Sequence, residues 1–132
     1  MKAISSSITK SLQQKSRCFC TDNSGAKEVE IISVFGMTGR KRMLPKAGVA
    51  DMVNVVIKKG RPDVRKKVER AVIVRVKQAY RRANGLRVSF EDNAVVLVDE
   101  KGLPKASEIK GVVAKEVGER WPKIAGLASA VI

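Results

Sequence analysis

The chain has 132 residues, a formal charge of +14 and 44% apolar residues, the size of one domain able to bury roughly two-thirds of its unfolded surface. A disordered basic tail is therefore excluded. No apolar run approaches the roughly 18 residues of a membrane span, and the opening MKAISSSITKSL has no continuous apolar core of the secretory kind; the expectation is a soluble, cytoplasmic protein without membrane contact.

In chain order, residues 1–20 are Ser-rich, carry Lys2, Lys10, Lys15 and Arg17, and contain no acid. Residues 1–16 read as a basic N-terminal arm, with a transit segment as the alternative for such a composition. Strands are expected at Arg17–Thr21 and Lys27–Phe35, separated by the turn Asp22-Asn23-Ser24-Gly25. Cys18 and Cys20 share one face of the first strand. With no His in the chain a zinc site would need carboxylates, so the two thiols are read as core residues. Gly36–Lys46 holds Gly36, Gly39, Pro45 and four cations, which makes it a loop.

Asp51–Lys58 alternates, with Val53, Val55 and Ile57 on one face, the pattern of a half-buried strand. Lys59-Gly60-Arg61-Pro62 breaks it, and Asp63–Arg70 reads as a long charged connection. In Ala71–Lys77, Val72, Val74 and Val76 share one face and Ile73, Arg75 and Lys77 the other, so both cations are expected to point outward from a barrel wall. Asn84-Gly85 signals a two-residue hairpin turn with positive φ at both positions, returning through Leu86–Glu91. Asp92-Asn93 turns the chain into Ala94–Val98. From Gly102 onward two short helical turns are expected, limited by Gly118 and started by Pro122. Nineteen Val and nine Ile against five aromatics favour a small barrel of branched aliphatics over an aromatic-rich sandwich.

Sixteen of the 27 Lys and Arg residues, but three of the 13 Asp and Glu, lie between Arg40 and Arg87, so 48 residues carry +13 of the +14. Three acids cannot compensate sixteen bases, and a local field of that density is relieved mainly by a polyanion. Single-strand binders stack bases on aromatic side chains, and this stretch offers only Tyr80; structured RNA held through phosphates and shape fits better. The candidate RNA-binding residues are Arg40, Lys41, Arg42, Lys58, Lys59, Arg61, Arg65, Lys66, Lys67, Arg75, Lys77, Arg81, Arg82 and Arg87.

Catalysis finds little support. General bases are most often His, which is absent. Ser5-Ser6-Ser7 has no partner base, Gly36–Lys41 lacks Walker spacing and a following helix, and Glu91 and Asp92 point to opposite faces of a strand. No metal site or cofactor is expected. Near the C-terminus, Trp121 has two readings: a plug sealing one barrel end with Ile124 and Leu127, or a docking surface for a protein partner, since Trp and Arg are enriched at interface hot spots. If Trp121 is the plug, the partner surface passes to Glu108, Lys110, Lys115 and Glu119.

The segment AVIVRVKQAYRRANGLRVSFEDNAVVL, with its fixed spacings from Ala71 through Asn84-Gly85, Phe90 and Asn93 to Val96-Leu97, resembles the universal large-subunit ribosomal protein family conventionally counted fourteenth. Asp22–Lys27 (DNSGAK), Ala47–Val53 (AGVADMV) and Gly102–Val117 (GLPKASEIKGVVAKEV) are similar in the same order, from about Arg17 to the C-terminus. Glu119–Ala125 (ERWPKIA) resembles the archaeal and eukaryotic cytosolic branch, which weakens the transit reading. Ala83 and Ala50 depart from the family's usual Pro and Gly without disturbing the turns. The resemblance implies a single domain spanning 1–132: a five-stranded β-barrel with a projecting β-ribbon and a short-helix C-terminal appendage over 102–132. It also implies a protein without catalytic activity that binds large-subunit rRNA, helps form an intersubunit bridge to small-subunit rRNA, touches neighbouring ribosomal proteins and meets an anti-association initiation factor. The rival readings are a free-standing RNA chaperone or regulator and, more remotely, an enzyme acting on RNA.

Overall fold

Branched aliphatics at alternate positions build strands that close on themselves in the computed structural model, which describes residues 8–132; Lys2 and the Ser5-Ser6-Ser7 run lie outside the described residues. The elements in chain order are β1 (Leu12–Gln13), β2 (Arg17–Cys20), β3 (Ala26–Val34), β4 (Lys46–Ala47), β5 (Met52–Gly60), β6 (Val68–Arg75), β7 (Tyr80–Arg81), β8 (Arg87–Val88), β9 (Ala94–Val98), β10 (Ile109–Val113), α1 (Lys115–Arg120), α2 (Pro122–Leu127) and β11 (Ala128–Val131). A closed barrel runs in the order β2-β3-β5-β6-β9, antiparallel throughout except for the parallel β2–β9 ladder. The fold is therefore mainly β, as expected. Val29, Ile31, Val53, Val55, Ile57 and Ile73 are buried in its core, and full burial of each such side chain contributes roughly 1.5–3 kcal/mol.

Four local expectations are corrected by the structure. First, Ala71–Val76 is buried on both faces, because the C-terminal unit covers the face read as solvent-exposed: the Ala114 amide donates to the Val74 carbonyl at 3.2 Å. Alternation reports burial on one side of a strand and is silent once a second layer is added. Second, β6 begins at Val68 rather than Ala71, since the turn after β5 is short and the charged residues Glu69 and Arg70 already pair with Val55 and Asn54.

Third, the ribbon β7–β8 does not turn on two residues. The Arg82 amide donates to the Leu86 carbonyl at 2.9 Å and the Gly85 amide to the Arg82 carbonyl at 3.0 Å, leaving Ala83, Asn84 and Gly85 as a three-residue loop. Of these only Gly85 has positive φ, +87°, and the Asn84 side chain accepts from the Leu86 amide at 3.1 Å. The returning strand is accordingly short, Arg87–Val88 rather than Leu86–Glu91. Fourth, the C-terminal segment holds more than helices: β10 and β11 pair in parallel across α1 and α2. Pro122 does start α2, at its first position.

The described part of the arm is tied down. Leu12 is 5% exposed, β1 pairs with β4, and Lys10 Nζ lies 3.4 Å from Asp51 Oδ2.

Candidate nucleic-acid interface

The charge of the central segment survives folding because its own acids are used elsewhere. Asp51 pairs with Lys10 at 3.4 Å and Arg120 at 3.2 Å, and Glu69 with Lys105, all cations from outside the segment; only Asp63 serves a neighbour, Arg61, at 3.7 Å. Acids from outside return part of the balance. Glu28 and Glu30 pair with Lys59 at 2.9 Å and Lys58 at 3.8 Å while also holding Arg17. Hydrogen bonds from Lys59 and then Arg17 hold the Glu28 carboxyl below its ordinary range.

Among the described residues, the remaining cations of the segment without an ion-pair partner fall on three protrusions. The loop between β3 and β5 carries Arg40, Lys41, Arg42 and Lys46, all exposed. Arg40 and Met43 exchange backbone hydrogen bonds of 3.0 and 2.8 Å around Lys41 and Arg42, which puts those two side chains at the tip. The β5–β6 turn carries Arg65, Lys66 and Lys67, braced by the Lys66 amide on the Ile57 carbonyl at 2.8 Å. The ribbon and its approach carry Lys77, Arg81 and Arg87. Arg81 and Arg87 are direct cross-strand partners. Like charges in that position repel, at a cost on the order of 0.2–1 kcal/mol.

Two predicted contacts are committed inside the molecule instead. Arg75 is 9% exposed; it grips Asp92 through Nε at 2.9 Å and Nη2 at 3.2 Å, and donates to the Val112 carbonyl at 2.9 Å. It staples β6 to β10 and has no free face for a phosphate. Arg82 donates to Glu116 Oε1 at 2.7 Å and to the Ile132 carbonyl at 2.7 Å. Burial opposes its charge, but the bonds to Glu116 and Tyr80 outweigh that and raise its pKa. The same cluster pushes the Tyr80 hydroxyl up to about 12, by burial first and its hydrogen bond to Glu116 second. Sequence alternation could not separate Arg75 from Lys77; the partners that decide it lie 17 and 37 residues further on.

Trp121 sits at the junction of the C-terminal unit and the barrel. Its indole N–H donates to the Ala50 carbonyl at 2.8 Å, its ring leaves no room for a Cβ at Gly102, and Arg120 lies 5.3 Å above the ring centroid. With the buried Ile124 and half-buried Leu127 it packs against the core. Glu108, Lys110, Lys115 and Glu119 are each exposed, and the Lys110 amide bonds the Thr21 carbonyl at 2.7 Å, docking β10 on the barrel.

Among the described residues the thiol that meets a carboxylate is Cys20, which donates to Asp22 Oδ1 at 3.1 Å. The Cys18 and Cys20 thiols are both pushed up to about 12, by burial first and by Asp92 and Asp22 respectively, so neither is a nucleophile at neutral pH. Among the described residues no group of three or more metal-ligating side chains comes together, and no helix is long and apolar enough to cross a membrane.

A barrel with basic protrusions is what the sequence resemblance implied, and the comparison with known families decides it: the model described as ribosomal protein L14p/L23e matches residues 11–132. The chain belongs to the L14p/L23e family. Proteins called large ribosomal subunit protein uL14 are 50% identical to it in Methanocorpusculum labreanum and 52% in Methanoregula boonei, each over 100% of both chains. The one from Methanococcus maripaludis is 53% identical over 99% of both. All three organisms are methanogenic archaea, in keeping with the archaeal-type ending ERWPKIA. An L14p/L23e protein is a structural ribosomal component rather than an enzyme.

Proposed function

We propose that this chain is a structural constituent of the large subunit of the cytoplasmic ribosome, holding large-subunit rRNA through its three basic protrusions. The observation that carries the reading is the unpaired Arg81–Arg87 juxtaposition on the ribbon, together with the two other basic tips whose cations have no ion-pair partner among the described residues. Phosphates supply the missing negative charge, and the barrel holds the tips in fixed relation so that shape as well as charge is matched.

The rRNA-facing set is Arg40, Lys41, Arg42, Arg65, Lys66, Lys67, Lys77, Arg81 and Arg87, with the partly engaged Lys58, Lys59 and Arg61 at its margin. Arg75 and Arg82 position the ribbon rather than touch RNA. Family membership supports contacts with neighbouring ribosomal proteins, a share in the bridge to small-subunit rRNA, and a surface for the anti-association factor. For the protein contacts, the exposed Glu108, Lys110, Lys115 and Glu119 of the C-terminal segment, together with Trp121, offer charge of both signs.

A high-salt wash of ribosomal particles carrying a tagged copy tests this. An integral component stays with the large subunit, whereas release into the supernatant would favour a free-standing RNA chaperone or regulator. For the isolated protein, about six phosphate contacts give a log–log salt slope of roughly −4 to −5; a slope shallower than about −2 would remove the phosphate grip.

A further inference from the structure

Among the described residues, four other than Gly have backbone in the left-handed region: Lys15 at φ +66°, Arg42 at +67°, Ala50 at +68° and Lys66 at +67°. This region places Cβ against the following carbonyl oxygen and normally selects Gly, or Asn and Asp. Ala50 has an internal reason for it. Its carbonyl holds the Trp121 indole at 2.8 Å and its amide bonds the Ile73 carbonyl at 2.9 Å, in a fully packed site.

The other three have none. Lys15, Arg42 and Lys66 are exposed, and among the described residues their side chains make no hydrogen bond or ion pair, although the turns beneath them are firmly held. Gly would relieve each turn and leave the fold intact. A long cation in its place is strain that nothing inside the protein requires, and strain of that kind points to function. The three turns are also strung along one feature, the nine-residue β3–β5 ladder, which is roughly 30 Å long. Arg42 lies in the loop beyond the Val34–Val53 pair at its end, Lys15 beside Ile31 through an amide–carbonyl bond of 2.8 Å, and Lys66 beside Ile57 through another of 2.8 Å.

We propose that Lys15, Arg42 and Lys66 are the anchoring phosphate contacts of the RNA interface. This rests on the RNA-binding reading above and deepens it, because it adds Lys15, which lies outside the basic centre and which charge density alone gives no reason to choose. A left-handed turn at each site points a long cation away from the barrel at a fixed place along the ladder, so three backbone phosphates are met in register.

The test uses the full-length chain and a transcript of Methanoregula boonei large-subunit rRNA, with binding measured across a range of salt. Lys15→Gly, Arg42→Gly and Lys66→Gly are each compared with Lys27→Gln, Lys101→Gln and Lys123→Gln, which remove the same charge from exposed positions of ordinary backbone. Each Gly variant is expected to weaken binding several-fold and to make the log–log slope shallower by about 0.7–0.9, the contribution of one phosphate. Its melting midpoint should hold or rise. The Gln variants are expected to leave the slope in place. If Lys15→Gly keeps the wild-type slope, the anchor assignment fails while the broader reading stands. If the unaltered chain prefers the transcript no more than an unrelated RNA of equal length, the broader reading fails first. Should a Gly variant melt early, Asn at the same position, which also tolerates the left-handed region, repeats the comparison.

Discussion

The ribbon and the C-terminal unit use the same charged residue types to opposite ends. Arg81 and Arg82 are adjacent, yet Arg82 turns to the buried Glu116 and fixes the ribbon's base, while Arg81 faces Arg87 across the strands with no acid beside it. One charge is satisfied by folding, and the other has no ion-pair partner among the described residues. Proximity in sequence therefore says little about the role of a cation; the acid delivered by a distant element decides it.

The comparison breaks most severely at Glu116. Glu116→Ala leaves Arg82 and the Tyr80 hydroxyl without their shared acceptor, and removal of one member of a buried pair costs about 3–5 kcal/mol; thermal unfolding should show it as a fall of roughly 10 °C or more for a domain of this size. An unchanged midpoint would mean that the ribbon's base is held by packing alone. Trp121→Ala comes next, at about 2–4 kcal/mol, because a large half-buried ring and its bond to the Ala50 carbonyl are both lost. Stability close to wild type would shift Trp121 from junction to pure docking surface.

The ribbon tip gives a smaller and more selective effect. Gly85→Val forces a β-branched residue to φ +87° and should cost about 1–3 kcal/mol, whereas Asn84→Val loses only a side-chain bond to the Leu86 amide, worth about 1 kcal/mol. Equal losses in denaturant titrations would restore the two-residue turn. Arg81→Glu should be the mildest for the fold: it converts repulsion with Arg87 into attraction and stabilises by about 0.5 kcal/mol, yet it should weaken RNA binding strongly. Loss of stability together with affinity would assign Arg81 to the framework.

The Tyr80 hydroxyl sharpens the picture through pH. Its pKa is raised to about 12 in the fold from roughly 10 in an unfolded chain, so the stability it contributes is fully present below about pH 10 and is lost as pH rises toward 12. Near-ultraviolet absorbance follows it directly, since Tyr80 is the only tyrosine. A titration centred near 10 would place the hydroxyl in water.

The barrel strands were legible because each carries its own signal, as when Val53, Val55 and Ile57 fall on one face of β5 and Asn54, Val56 and Lys58 on the other. The parallel β10–β11 pair was not: IKGVV and ASAV are short, weakly patterned, and become strands only when two helices fold the chain back. Arg75 was misplaced for a related reason. Alternation put it on the face opposite Val74, which is correct, but that face is covered by a layer whose sequence lies beyond residue 108. The basic protrusions were visible as composition, whereas which of their cations stay unpaired depends on Glu28, Glu30, Asp92 and Glu116, all brought in from outside the segment.

The β2–β9 ladder pairs two residues, Phe19–Ala94 and Cys20–Val95, and is the shortest join in the barrel, extended by the Thr21 amide on the Val95 carbonyl at 3.1 Å and the Leu97 amide on Asp22 at 3.0 Å. Cys18 lies buried on that closing strand with its thiol pushed up to about 12, and the partly exposed Cys20 is pushed up as far by burial and Asp22, so both stay protonated at neutral pH. Opening of this join exposes the Cys18 thiol and restores its ordinary reactivity. Alkylation of the Cys18 sulfur thus acts as a built-in clock for transient breathing of the barrel in the free protein.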